Sequence, residues 1–129
     1  MDEKDHHERG MAQRRKVLGH EWVDRANAKK TTFNEEFQDL ITRYAWGEIW
    51  TRSHYDERTR RVLVIGTMIA LGQWDEFRLH VRAALAEGGF TEADIKEVIL
   101  QQAIYCGVPA ANHAFKEAAE IITELAKAK

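Results

Sequence analysis

Few side chains in this sequence could do chemistry, and His80 is the best placed of them. It lies three residues after Phe77 and four before Ala84, so on a helix it sits on or beside the apolar stripe. Position alone favours a core histidine satisfied by one hydrogen bond over a catalytic one. Glu76 stands four residues before it. Such a pair could be half of a metal site, but no second ligand pair has comparable spacing, so no metal is expected. His6 and His7 are adjacent, diverge on a helix and read as surface residues.

Other candidates cluster in short runs. Trp46 and Trp50 share a helical face with Glu48 between them. The tryptophans suit a core or a subunit interface, and the glutamate is more commonly solvated or paired than a desolvated acid or base. Arg58, Arg60 and Arg61 precede a very apolar segment, where a guanidinium can capture a carboxylate in bidentate fashion or simply aid solubility. Cys106 is the only cysteine. That excludes an internal disulfide and a CxxC redox pair, and its place at a helix C-terminus suits packing better than nucleophilic attack. Asn112 can cap the last helix locally or point its carboxamide into a site.

These residues are positioned by helices. The 129 residues suit one domain, 1–129, with 44% apolar and 31% charged side chains. A net charge of −2, with 19 basic and 21 acidic residues interspersed, argues against a nucleic-acid or anionic membrane partner. No wholly apolar run exceeds that of Val62 to Ile65, which is too short to span a bilayer, and the acidic start is not a signal peptide; a cytoplasmic protein is expected.

Periodicity is helical throughout. A weakly amphipathic, peripheral helix from near Asp2 to Leu18 is closed by Gly19. Thr32 or Asn34 caps a second, which carries Phe33, Phe37, Leu40, Ile41 and Tyr44 toward Trp50. Asp56 opens a helix so apolar all round that it should be central to a bundle. Trp74, Phe77, Val81 and Leu85 mark the next, Thr91 and Asp94 form a capping box for another, and Pro109 opens the last. The expectation is an all-α, single-domain bundle of about six helices.

Longer strings say more. FNEEFQDLITRYAWGEIWTR at Phe33 to Arg52, LHVRAA at Leu79 to Ala84, IKEVILQQAIYCGVPAAN at Ile95 to Asn112 and HERGMAQRRKVLG at His7 to Gly19 cover almost the whole chain. Together they closely resemble the γ-carboxymuconolactone decarboxylases of protocatechuate breakdown. The resemblance implies the fold of that family, ring-shaped homo-oligomers that are hexamers, a dianionic lactone substrate and no cofactor. It implies His80 as proton donor or oxyanion partner, Arg60 as anchor for a substrate carboxylate, and Glu48 as a further catalytic group. Trp46, Tyr105, Cys106 and Asn112 fall to substrate binding on the same grounds.

The chain also departs from the pattern. Peroxidase-like relatives of the wider superfamily carry CxxC where this chain has Trp74 and Phe77, so thiol-dependent peroxide reduction is excluded. Family members read GDAHVDR where this chain reads Gly19-His-Glu-Trp-Val-Asp-Arg25, which puts Trp22 in place of a histidine. Ser53-His54-Tyr55 replaces a Gly-Leu turn. A cofactor-free enzyme acting on another small lactone or keto acid, or a non-catalytic oligomer binding a small acid, are the alternatives.

Overall fold

The computed structural model describes residues 2–128 and is all-helical. Seven α-helices follow in order: α1 (Glu3–Leu18), α2 (His20–Ala28), α3 (Glu35–Ile41), α4 (Glu57–Leu71), α5 (Trp74–Glu87), α6 (Glu92–Cys106) and α7 (Val108–Lys127). α3 runs directly into a π-helical segment, Thr42–Ile49. The helices fall into two compact units, one ending at Glu57 and the other starting at Arg58.

In the first unit α1 is capped by Asp2, whose carboxylate accepts the Asp5 N–H at 2.8 Å. It stops at Gly19, where φ of +94° suits a residue without Cβ. Contrary to the expectation of a peripheral helix, α1 buries Gly10, Arg14, Val17 and Leu18 and packs along the π segment. The approach is so close that a Cβ on Gly10 would stand 1.8 Å from the Thr42 carbonyl oxygen, and one on Gly47 2.4 Å from that of His6. Two glycines facing each other's backbone thus set the spacing of this pair. Ion pairs trim its edges: Arg43 to Glu3 at 2.5 Å and His7 to Asp39 at 3.4 Å.

The count of six helices missed α2. It starts straight after Gly19 with no side-chain cap and buries only Val23, so it lacks the apolar repeat by which the others were recognised. α3 starts after Asn34, but no side-chain cap forms there, Phe33 lies before the helix, and the run toward Trp50 passes at Thr42 into the π segment; Phe33 (97% exposed), Phe37, Leu40 and Tyr44 face outward. Its periodicity marks an apolar face that the single chain leaves uncovered.

The second unit has a continuous core of Ile65, Ile69, Phe77, Val81, Ile95, Ile99, Ala114 and Ile121. The capping box of α6 is present, with Asp94 N–H donating to Thr91 Oγ1 at 3.3 Å and Thr91 N–H to Asp94 Oδ2 at 2.7 Å. Pro109 stands in the first turn of α7. Arg78 ties α5 to α7 through Glu117 at 2.6 Å, Glu120 at 2.9 Å and Glu124 at 3.2 Å. Arg82 joins Glu124 as well.

α4 is not the central helix, buried all round, that its composition predicted. Arg61, Ile65, Gly66 and Ile69 are buried, while Val62, Leu63 and Leu71 are exposed. Only one stripe of an all-apolar helix can face the core of a single chain, so the rest remains on its surface.

Candidate active site

His80 follows Phe77 by three residues and Val81 follows it directly, so the stripe that buries those two side chains takes the imidazole inward. It is 8% exposed. Its Nε2 lies 3.8 Å from Glu76 Oε2, the i, i+4 pair of the sequence. Among the described residues, no three or more His, Cys, Asp or Glu side chains gather as metal ligands would.

Burial pushes the His80 pKa from 6.5 down to about 4, with the Arg61 charge adding to the effect. An unperturbed histidine would titrate near neutral pH, and this one does not. At neutral pH it is an uncharged imidazole, suited to donating a hydrogen bond to a developing oxyanion rather than acting as an imidazolium acid.

The shift has a consequence for stability. Between pH 6.5 and about 4 the unfolded chain binds a proton at His80 that the folded chain refuses. Stability from this group is complete above the unfolded pKa and is lost as pH falls through that window. We expect roughly 2–3 kcal/mol to disappear by about pH 4.5. Urea titrations at pH 7 and in acid should show a shallower acid slope for His80→Gln than for the wild type; parallel slopes would contradict a depressed pKa.

Arg61 is the arginine whose charge reaches His80. It is fully buried, and its Nε lies where a Cβ on Gly88 would approach within 2.6 Å. Sequence reasoning named Arg61 only as one of three, although it stands four and eight residues before Ile65 and Ile69 on the buried face. Arg60 is half-buried. Arg58 lies over the Phe90 ring at 4.5 Å and bonds Asp94 at 2.6 Å. Asp94 is held below the usual carboxylate range, first by the Thr91 backbone N–H and then by the Thr91 hydroxyl and Arg58.

At the start of α5, Trp74 stacks on His113 at 4.0 Å and meets Phe77 edge-on at 5.4 Å. Trp74, Phe77 and His113 thus form an aromatic cluster. Cys106 is half-buried against the core. Tyr105 is 77% exposed and Asn112 is also at the surface, so the single chain brings neither to His80 as a buried neighbour.

In the other unit, the π segment places Trp46 inside, stacked on Trp50 at 5.0 Å, while Glu48 points outward with its side chain 52% exposed. Glu48 Oε2 lies 3.1 Å from His6 Nε2. His6 was read as a surface residue, yet its side chain is only 17% exposed. The available signal was its spacing: His6, Gly10, Arg14 and Val17 follow one helical face. Trp22 lies under the Arg14 guanidinium, 5.6 Å from ring centre to Cζ.

The carboxymuconolactone decarboxylase family model matches residues 35–120, two-thirds of the chain. The chain belongs to the carboxymuconolactone decarboxylase family. It is 38% identical over 125 residues to a 4-carboxymuconolactone decarboxylase of Acinetobacter baylyi, covering 97% of this chain and 92% of that protein. A nitrosuccinic acid decarboxylase of Metarhizium robertsii is 41% identical over 100 residues, 78% of this chain and 69% of that one. A Pseudomonas putida sequence named 4-carboxymuconolactone decarboxylase matches in full over 48 residues at 52% identity. The resemblance read from the sequence strings is borne out.

Proposed function

We propose that this chain is a cytoplasmic carboxy-lyase that converts γ-carboxymuconolactone to β-ketoadipate enol-lactone in aromatic catabolism, acting as one functional domain. The observation that carries the reading is the 38% identity, along nearly the entire chain, to a protein named for that decarboxylation. The family match spans residues on both sides of Glu57, which supports a single functional domain.

The chemistry asks little of a cofactor. When the bond to the γ-carboxylate breaks, its electron pair moves through the ring alkene onto the lactone carbonyl oxygen, and CO₂ leaves. The resulting dienolate then takes a proton at the α-carbon. A neutral His80 N–H suits the first step, because hydrogen bonding to the oxyanion lowers the barrier most in a buried setting. Glu48 is assigned the proton: half-exposed, it can be recharged from solvent after each turnover. Arg60 is assigned to a substrate carboxylate, and Trp46, Tyr105, Cys106 and Asn112 to substrate binding.

A homo-oligomer, a hexameric ring, completes the reading. Its support is the outward apolar side chains of Leu63, Leu71, Ile104, Tyr105 and Val108, which a further copy of the chain would cover. No helix among the described residues is long and apolar enough to cross a membrane.

A second substrate has its own support. Nitrosuccinic acid also places a carboxylate beside an electron sink, the nitro group, and a relative named for its decarboxylation is 41% identical. Purified, EDTA-treated protein should be given each acid separately, with CO₂ release followed and the oligomer sized by light scattering. Turnover of the lactone by a hexamer is expected; turnover of nitrosuccinate alone would move the assignment to the second acid, and release from neither would overturn both.

A further inference from the structure

The reaction assigned above needs a proton delivered by one particular oxygen of Glu48, yet that side chain is half-exposed and would sample several rotamers if left to itself. Its backbone and its carboxylate are each held by a separate contact. Thr51 Oγ1 donates to the Gly47 carbonyl at 2.8 Å and approaches the Glu48 carbonyl at 3.5 Å, which steadies the end of the π segment. His6 Nε2 meets Glu48 Oε2 at 3.1 Å from α1. The second contact exists because Gly10 and Gly47 let the two backbones approach more closely than any Cβ would permit.

The other ring nitrogen, His6 Nδ1, is buried and has no hydrogen-bond partner. A proton placed there would be a buried donor without an acceptor, which costs more than leaving a lone pair unmatched. The proton therefore belongs on Nε2, and His6 donates to Glu48 Oε2. This one hydrogen bond suits both states of the acid. When Glu48 is protonated, Oε2 is the carbonyl oxygen and the proton stands on Oε1; when it is ionised, Oε2 still accepts and Oε1 is left to take up the next proton.

We infer that His6 is a positioning residue of the decarboxylation: as the Nε2–H tautomer it pins Oε2 of Glu48 and so commits Oε1 to proton transfer. The inference rests on the reading that Glu48 delivers the proton.

The test compares His6→Leu, His6→Gln, Glu48→Gln and the His6→Leu/Glu48→Gln double variant, with γ-carboxymuconolactone and nitrosuccinate as the probes. Glu48→Gln should lose on the order of 100-fold in kcat. His6→Leu should lose about tenfold in kcat with KM nearly unchanged, the size of one charge-assisted hydrogen bond. His6→Gln, whose amide can donate to the same oxygen, should recover to within about threefold of the wild type. In the Glu48→Gln background, His6→Leu should cost nothing further. Nitrogen NMR of the histidines should find His6 as the Nε2–H tautomer whether or not a substrate turns over.

An inactive Glu48→Gln beside a fully active His6→Leu would overturn the positioning role while leaving Glu48 in place. So would equal losses from His6→Leu in both backgrounds, the mark of a merely structural residue. An active Glu48→Gln would instead remove Glu48 from the reaction, and an inactive wild type would overturn the parent reading; the positioning role falls with either. An Nδ1–H tautomer would refute the hydrogen-bond assignment itself.

Discussion

Replacing His80 by alanine is expected to lower kcat for decarboxylation by roughly 100- to 1,000-fold, the usual cost of deleting one preorganised oxyanion donor. The magnitude follows from where the imidazole sits. In water, solvent would replace the lost hydrogen bond; at a site 8% exposed it does so poorly. Because the donor acts on charge that grows only in the transition state, the loss should fall on kcat more than on KM. The uncharged state of His80 makes a second demand. With its pKa near 4, the imidazole should put no ionisation of its own on the rate profile near neutral pH. Steady-state CO₂ release, with circular dichroism to establish folding, decides the matter. A folded His80→Ala enzyme within about threefold of wild type would remove His80 from the reaction.

Gly10→Ala should have the largest effect on stability, more than about 3 kcal/mol, because it exceeds ordinary overpacking. The added Cβ would stand 1.8 Å from the Thr42 carbonyl oxygen and 2.9 Å from the Gly47 nitrogen, both backbone atoms. No rotamer change relieves a clash with backbone, so α1 must move off the π segment. That movement breaks the His6–Glu48 contact and opens the face that buries Arg14 and Val17. Chemical unfolding should report the lost stability, and limited proteolysis should cut α1 faster than in the wild type. Unfolding indistinguishable from wild type would show that the two backbones do not meet as closely as described.

Much of this molecule could be read from neighbouring residues alone. Gly19 and Gly107 end helices, Thr91 and Asp94 box the start of α6, Pro109 opens α7, and the stripe through Phe77 and Val81 takes His80 inward. Each of these signals acts over three or four residues, within the reach of one helical turn. The sequence strings likewise carried the family, since they preserve identity along almost the full chain.

Tertiary structure decided the rest. An unperturbed histidine would titrate near neutral pH, and only burial with Arg61 leaves His80 uncharged there. His6 looked like surface because its partner lies 42 residues away in the chain. The apolar faces of α3 and α4 were legible as apolar, but which of them the chain covers depends on packing that periodicity does not encode. α2 was missed because a short helix held by one buried valine and the chain on either side leaves almost no apolar repeat. Local geometry is a property of successive residues, whereas charge state, exposure and aim are set by whatever distant segment the fold brings alongside.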